Sequence, residues 1–268
     1  MKDKVVIITG GTSGIGKALA SEFGRKGSKI LITGRSQEAL LTTRRELSEK
    51  GISIHAVCAD VTLPDDNKRM AEEAKKVFGR IDVLINNAGI SMRAIFEDVD
   101  PEVIRKVMDI NFYGAVYATK YCLPEIIKNR GSIVGISSIA GFRGLPARTG
   151  YSASKFALNG FLESLRTELR NSGVHVLTAC PGFTASNIRV RSLKEDGTSQ
   201  GESPREEEKM MTAEECASHI YRATVNRKRT LVLTLQGKLV IFLNKWLPSL
   251  ADRIVYNVMR KEANTPIR

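Results

Sequence analysis

A tyrosine and a lysine stand four residues apart in this 268-residue chain, as Tyr151 and Lys155. On a helix, this spacing places both side chains on one face. An ammonium group beside a phenol favours the phenolate and lowers the pKa of the tyrosine, which suits general acid–base catalysis. Taken alone, a Tyr-x-x-x-Lys pair is more often an ordinary contact on a helix surface.

A glycine-rich segment near the start of the chain is a candidate phosphate-binding loop. Residues 9–16 read TGGTSGIG, directly after an apolar run and directly before a helical pattern. Glycines there let the backbone turn tightly and let a pyrophosphate approach the N-terminus of the helix. Such a loop is weak evidence by itself, because many strand-to-helix turns contain glycine, but its position strengthens the prediction.

Short apolar runs alternate with helical patterns along the chain and predict the elements that hold these residues. Strands are predicted at residues 4–9, 29–33, 52–58, 81–86, 131–137, 174–179 and 230–234. Helices are predicted at 15–26, 36–50, 65–78, 101–128 (one helix or two abutting ones), 152–171 and 212–226. Continuous apolar strands are typical of a sheet buried on both faces. The pattern predicts an α/β fold, a single Rossmann-like domain with a doubly wound parallel sheet of about seven strands.

Further motifs follow in a fixed order and carry a resemblance. Asn86-Asn87-Ala88-Gly89 ends the fourth predicted strand, Asn111 lies in a helical segment, Ser138 follows the fifth strand, and Pro181-Gly182 follows the sixth. Together with the glycine loop and Tyr151/Lys155, these motifs resemble the short-chain dehydrogenase/reductase family over about residues 4–182. Each motif is modest evidence, but their ordered coincidence is specific.

The resemblance implies a role for each matching residue. Tyr151 would exchange a proton with the substrate oxygen, Lys155 would lower its pKa and hold the nicotinamide ribose, and Ser138 would stabilise the oxygen. Asn111 would hold a relay water, or serve as a buried amide that satisfies backbone groups in a helix kink. The residues implied to contact the cofactor are Gly10, Thr12, Ser13, Gly14, Ile15, Gly16, Arg35, Asp60, Val61, Asn87, Ala88, Gly89, Tyr151, Lys155, Pro181, Gly182 and Thr184.

The end of the second strand bears on the choice of cofactor. An acid there would bind the adenosine ribose hydroxyls and repel a phosphate. The sequence has Gly34 and Arg35 instead, and a guanidinium suits a 2′-phosphate. This favours NADP(H) over NAD, although Arg35 could be only a solvated charge. Ser13 opposes the prediction, because many NADP-dependent relatives carry a basic residue at that position.

The charge is unevenly distributed. The formal net charge is +12, and residues 222–268 contain ten basic and two acidic side chains. No helix-turn-helix or zinc-finger spacing accompanies them, so no nucleic-acid partner is expected. The four cysteines and three histidines lack the spacing of a ligand set, and no metal site is predicted. No signal peptide and no ordinary spanning helix are expected, and a cytoplasmic protein is predicted.

Two segments lie outside the core pattern. Residues 184–211 are polar, contain glycines and fall where the family has its substrate loop, so they are expected to form a lid; an idle surface insertion is the alternative. Residues 237–268 form a basic, amphipathic helical extension to a catalytic domain at 1–236. Its apolar residues at 237–261 could lie in a membrane interface, cover the substrate mouth, pack in a dimer or dock on the chain's own core.

The combined prediction is an NADP(H)-dependent oxidoreductase that interconverts a ketone or aldehyde and an alcohol, on a hydrophobic, lipid- or steroid-like substrate. One alternative is an NAD-dependent alcohol dehydrogenase. Another is a sensor or scaffold that binds the cofactor without turnover, which the intact set of Asn111, Ser138, Tyr151 and Lys155 disfavours. The resemblance also implies a homodimer or homotetramer, formed through the helices predicted at 101–128 and 152–171.

Overall fold

Seven apolar strands pair in one parallel sheet in the computed structural model, which describes residues 1–267. The strands are β1 (Val5–Ile8), β2 (Lys29–Gly34), β3 (Ile54–Cys58), β4 (Val83–Asn86), β5 (Ser132–Ile136), β6 (His175–Cys180) and β7 (Thr230–Val232). Their spatial order is β3-β2-β1-β4-β5-β6-β7. The order reverses between β1 and β4, which is where open α/β sheets bind ligands at the carboxyl ends of their strands. The predicted single-domain, doubly wound α/β fold is confirmed.

Helices cover both faces of the sheet. They are α1 (Gly14–Arg25), α2 (Gln37–Glu49), α3 (Pro64–Phe78), α4 (Pro101–Met108), α5 (Gly114–Lys128), α6 (Thr149–Glu168), α7 (Ala213–Val225), α8 (Leu235–Trp246) and α9 (Pro248–Arg260). One buried cluster joins the sheet to α1, α2 and α7 around Phe23 and Ile220. A second joins it to α3, α5 and α6 around Met70, Cys122 and Leu162. Strands buried on both faces explain the continuous apolar runs in the sequence.

The segment predicted as one helix or two is a single helical path interrupted by one π-helical turn. Helix α4 runs into a π turn at Asp109–Tyr113, which continues directly into α5. A π turn adds one residue to the helical path and often occurs at functional sites. Here the turn contains Asn111, so the irregularity aims a candidate site residue.

The last two helices form a hairpin, and Pro248 separates them. Helix α8 ends at Trp246, and α9 begins at Pro248, as expected for a residue that suits the first turn of a helix and breaks its interior. The sequence boundary at residue 237 falls inside α8, which begins at Leu235. Arg268, the end of the predicted extension, lies outside the described residues. Among residues 1–267, no helix is long and apolar enough to cross a membrane.

Candidate functional site

The glycine loop is fastened to the end of β4 by two polar side chains. Asn87 donates its Nδ2 to the carbonyls of Thr9 and Gly10, at 2.9 and 3.0 Å. The Thr9 hydroxyl in turn accepts from the backbone N–H groups of Asn87 and Ala88. The Asn87 amide, predicted to line the adenosine side, therefore holds the loop itself. Thr9 was not among the predicted site residues, although it opens the loop motif.

The glycines of the loop are required by its geometry. Gly10 and Gly14 have φ values of +66° and +50°, which side chains rarely adopt. A Cβ at Gly16 would lie 2.2 Å from the carbonyl oxygen of Gly10. Helix α1 begins at Gly14, and the Ser13 side chain does not cap it. The first N–H groups of α1 can therefore receive a pyrophosphate, and the loop fits a dinucleotide cofactor.

Ser138, Tyr151 and Lys155 meet at the carboxyl ends of the central strands. Ser138 follows β5, and its hydroxyl lies close enough to the Tyr151 phenol to lower the pKa of that phenol. Tyr151 and Lys155 lie one turn apart on α6, with the Lys155 Nζ 5.7 Å from the centre of the Tyr151 ring. Lys155 is buried and donates to the carbonyl of Ile136 at 2.9 Å. A phenol that lies beside a hydroxyl and a buried amine can exchange a proton with a bound oxygen.

The protonation of this cluster differs from the simple expectation. Burial raises the pKa of Tyr151, although the Ser138 hydroxyl and the charges of Arg148 and Arg189 oppose the rise. Burial also lowers the pKa of Lys155, from 10.5 to about 8. The pKa of Tyr151 is therefore raised, whereas the sequence predicts that Lys155 lowers it. The reason is that desolvation penalises both charged forms.

Asn111 is fully used by internal hydrogen bonds. Its Oδ1 accepts from the N–H of Ile90 at 2.8 Å, and its Nδ2 donates to the Ile90 carbonyl and to the Ser154 hydroxyl, both at 2.9 Å. The side chain is buried, and it fastens the π turn to the segment after β4 and to α6. Of the two roles weighed for Asn111, these contacts support the structural one. A Cβ at Gly89 would lie 3.1 Å from its Oδ1 and 3.6 Å from the Lys155 Nζ, so Asn111 still borders the amine.

The residues predicted to bind the adenosine end lie together at the ends of β2 and β3. Gly34 lies against the Thr12 side chain, and the Arg35 carbonyl accepts from the Cys58 thiol. The Arg35 side chain is exposed and makes no hydrogen bond or ion pair with the described residues. Asp60 follows β3; its carboxylate accepts from both the N–H and the hydroxyl of Thr62. Its neighbour Val61 is buried against Gly114 of α5.

The predicted lid covers the same edge of the sheet. Thr184 is buried just after the Pro181-Gly182 turn, and its backbone pairs with Met211 at the far end of the segment. A Cβ at Gly14 would lie 3.2 Å from the Cβ of Ser186. Arg189 binds Glu207 through two hydrogen bonds, which braces the segment internally. The lid thus begins over the glycine loop.

A cavity of about 760 Å³ lies where the segment predicted as a lid meets the C-terminal helices. Lid residues, the start of α8 and the residues after α9 line it, with Phe183, Met210 and Met211 among its apolar walls. Ser138, Tyr151 and Lys155 are not part of the lining; the cavity reaches the end of β6 through Phe183, which follows the Pro181-Gly182 turn. Within residues 1–267, no group of acids, cysteines or histidines could hold a metal ion.

Comparisons with known proteins agree with this geometry. Residues 4–197 match the short chain dehydrogenase family. Dehydrogenase/reductase SDR family member 7B of Rattus norvegicus is 36% identical over 270 residues, which cover 98% of this chain and 83% of the rat protein. Its counterpart in Danio rerio is 33% identical over 270 residues, with 98% of this chain and 87% of that protein covered.

A solved structure shares the whole architecture. A short chain dehydrogenase/reductase from Burkholderia phymatum in complex with NAD superposes with a TM-score of 0.83 and 23% identity, covering 93% of this chain and 95% of that one. At this identity, the likeness shows the fold alone.

Proposed function

Because this chain belongs to the short-chain dehydrogenase/reductase family, we propose that it is an NADP(H)-dependent oxidoreductase that interconverts a ketone or aldehyde and an alcohol. The observation that carries the proposal is the placement of Tyr151 one helical turn from the buried Lys155, whose Nζ lies 5.7 Å from the centre of the tyrosine ring, beside Ser138. A cofactor-binding scaffold without activity would not need to keep this proton-handling group assembled.

The proposed mechanism assigns proton transfer to Tyr151. Its phenol would donate a proton to the carbonyl oxygen in reduction and would accept one from the alcohol in oxidation. The Ser138 hydroxyl would hydrogen-bond the same oxygen and stabilise charge that develops there. Lys155 would hold the nicotinamide ribose and resupply the proton, and Asn111 would keep the π turn against α6. The bound nicotinamide would supply or receive the hydride.

Replacing the phenol tests the mechanism. Tyr151→Phe should lower kcat by at least about 10²-fold and leave NADPH affinity within about threefold, since general acid–base catalysis contributes about 10²–10⁴-fold. Tyr221→Phe is the matched control, because that ring contacts Phe23 on the far side of α1. Unchanged turnover in Tyr151→Phe would contradict the mechanism. If the natural chain binds NADPH but reduces no carbonyl in a broad panel, the sensor alternative is favoured.

We propose NADP(H) as the preferred cofactor on the basis of Gly34 and Arg35. An exposed guanidinium with no partner in the described chain, next to a glycine where an acid would repel phosphate, suits a 2′-phosphate. Arg35→Ala should weaken NADPH binding at least tenfold and leave NADH binding unchanged. Arg44→Ala, which removes an exposed arginine from α2, is the control. Tighter binding of NADH by the natural chain would favour NAD-dependent alcohol oxidation instead.

The substrate is proposed to be hydrophobic, with a lipid- or steroid-like body. Support comes from the cavity beside the site, whose walls include Phe183, Pro204, Met210 and Met211. These four apolar side chains would hold an apolar ligand body, while Arg205, Glu206 and Lys261 in the same lining would face its polar groups. In a panel of ketones with rising chain length, kcat/KM should rise with length. A panel in which short, polar ketones react best would contradict this choice.

The proposed assembly is a homodimer or homotetramer that pairs α5 and α6. Aromatic side chains gather on this face: Phe112 lies edge-on to Phe161, and Tyr113 stacks on Tyr117. Tyr113 and Phe156 are exposed at 44% and 46%. Exposed aromatic groups of this kind are typical of an interface. Sedimentation equilibrium should give a dimer or tetramer, and Phe156→Glu should shift it towards the monomer.

We also propose peripheral contact with a membrane from the cytoplasmic side, through α8 and α9. Leu235, Leu239, Phe242 and Trp246 recur at helical spacing and are exposed by 82%, 55%, 58% and 63%. Lys238 and Lys245 flank this stripe and are also exposed. An amphipathic helix with tryptophan and lysine suits an anionic interface.

A further inference from the structure

One buried carboxylate joins the extension to three separate parts of the catalytic domain. Glu262, just after α9, receives hydrogen bonds from Arg148 at 2.7 Å and from Arg205 at 2.7 Å, each on a different oxygen. Arg93 approaches the oxygen that Arg148 holds, at 3.6 Å, and donates to the carbonyl of Ala263 at 2.6 Å. The three arginines come from the start of α6, from the lid and from the segment after β4.

Burial strengthens the ion pairs of this cluster while Glu262 is ionised, and it makes the loss of that charge costly. The Glu262 side chain is 3% exposed, and those of Arg93, Arg148 and Arg205 are 5%, 11% and 22% exposed. Burial opposes ionisation of Glu262, but the charges and hydrogen bonds of Arg148 and then Arg205 outweigh it and hold its pKa below the ordinary value. A carboxylate held by two charge-assisted hydrogen bonds fixes the positions of both partners. If Glu262 lost its charge, the three arginine side chains would lose the negative counter-charge that they share.

Two of these arginines, Arg148 and Arg205, also contact parts of the candidate site. The Arg148 carbonyl accepts from the N–H of Ser152 at 2.8 Å, next to Tyr151. The Arg205 guanidinium lies over the Phe183 ring, 3.8 Å from its centre. Both Arg205 and Phe183 line the cavity, as do Lys261 and Ala263 on either side of Glu262. The carboxylate therefore sits behind a wall that the lid and the extension build together.

We propose that Glu262 is a positioning residue that holds the lid against the start of α6 and so completes the substrate wall beside Tyr151. The part of this proposal that concerns the substrate rests on the proposed function. The contact between Glu262 and the lid does not depend on it. Glu262 touches neither the reacting groups nor the loop that would hold the cofactor. Its loss should therefore affect substrate binding and lid mobility, and spare cofactor binding.

The matched control lies in the same extension. Asp252 and Glu262 are its only acidic residues, and Asp252 pairs with Arg143 of the domain. The Asp252 side chain is 67% exposed, and no lid residue contacts it. Asp252→Asn thus removes one ion pair between extension and domain without touching the lid. Glu262→Gln removes a carboxylate of nearly the same shape from the cluster.

The test compares full-length variants saturated with NADPH. For Glu262→Gln, trypsin cleavage within residues 184–211 should accelerate at least tenfold, KM for a long-chain ketone should rise at least tenfold, and kcat and NADPH affinity should stay within threefold. Asp252→Asn should match the natural chain. Glu262→Asp, which keeps the charge, should lie between the natural chain and Glu262→Gln in both readouts. A general loss of structure would reduce the active fraction without changing KM.

A second variant keeps the proposal open to test if Glu262→Gln does not fold. Arg205→Met removes the lid's partner of Glu262, which is the most exposed of the three arginines, together with its contact to Phe183. Because the substitution also deletes one trypsin site, cleavage is compared at the other basic residues of 184–211. This variant should reproduce the faster cleavage and the higher KM. Cleavage equal to that of Asp252→Asn in whichever variant folds would overturn the proposal. If no ketone is turned over by the natural chain, the proposed function fails, while the cleavage readout still decides the role of Glu262.

Discussion

Lys155 is held as a buried cation at a cost to the folded state. Its pKa is lowered from 10.5 to about 8 by desolvation. Such a change corresponds to roughly 3 kcal/mol. At pH 7 the amine is protonated in both folded and unfolded chains, so the whole penalty is present. It is lost as the pH rises from about 8 towards 10.5, where the folded amine is neutral and the unfolded one is losing its proton.

Lys155→Met should therefore stabilise the protein at pH 7 while abolishing turnover. Methionine cannot donate to the Ile136 carbonyl, which reduces the net gain to about 1–2 kcal/mol. Thermal unfolding should show a higher Tm for the variant at pH 7, and the difference should shrink by pH 10. A variant less stable than the natural chain at pH 7 would show that the penalty on the buried ammonium is compensated elsewhere.

Asn111 should contribute to stability as much as to activity. Asn111→Ala removes three hydrogen bonds and leaves both backbone groups of Ile90 unpaired. At about 1–3 kcal/mol for each unsatisfied group, a loss of at least ~2 kcal/mol is expected in urea denaturation. Asn159→Ala, which removes a single donor to the Gly141 carbonyl, should cost about 1 kcal/mol. Equal losses in the two variants would argue against a role for Asn111 in fastening the π turn.

At the scale of elements, two glycines give opposite expectations for the same substitution. A Cβ at Gly16 would collide with the Gly10 carbonyl oxygen at 2.2 Å and with the Asn87 Nδ2 at 2.5 Å, whereas a Cβ at Gly160 in α6 would meet nothing within 4 Å. Gly16→Ala should reduce NADPH affinity more than tenfold and lower the Tm. Gly160→Ala should raise stability by about 0.5–1 kcal/mol, since alanine favours the helix. Calorimetry measures the thermal stability of both variants, and titration with NADPH measures their affinity for the cofactor.

Local signals were enough to predict most elements and the order of the site motifs. Helix α2 matches the helix predicted at 36–50: the Ser36 hydroxyl accepts from the N–H of Ala39 at its start, and Gly51, with a φ of +76°, follows its end. The Tyr151/Lys155 spacing predicts a shared face of α6, and the strand ends predict where Ser138 lies. Those features depend on neighbours within a few residues, or on the rule that parallel strands end at one edge.

Contacts between distant segments could not be predicted in the same way. Glu262 meets Arg148 across 114 residues, and only tertiary packing selects that partner among 41 basic residues. The one available signal was its rarity, because it is one of two acids in a basic segment. The pKa of Tyr151 also escaped prediction, because the desolvation that raises it depends on the packing around α6.

At the scale of the whole molecule, the extension divides its apolar residues between two surfaces. Ala251, Val255 and Met259 face inward and are buried. Leu250, Ile254 and Val258, one position earlier in each turn, are exposed at 42%, 37% and 47%. The interpretation of an apolar stripe docked on its own core therefore accounts for only one face of α9. The outer face of α9 and the stripe on α8 are both exposed and apolar, and Lys238, Lys245 and Arg253 on these helices are also exposed.

Because α8 begins at the cavity wall, a membrane bound on this surface would lie close to the route of a lipid-like substrate. The natural chain should sediment with anionic vesicles at low salt, and less so as salt screens Lys238, Lys245 and Arg253. Phe242→Glu/Trp246→Glu should reduce binding more than tenfold, since each buried side chain contributes about 1.5–3 kcal/mol. Leu41→Glu, which changes a 52% exposed leucine on α2, is the control. If the natural chain does not sediment with the vesicles, the apolar residues of α8 and α9 bind another partner. The proposal that the substrate enters from a membrane at this surface would then be wrong.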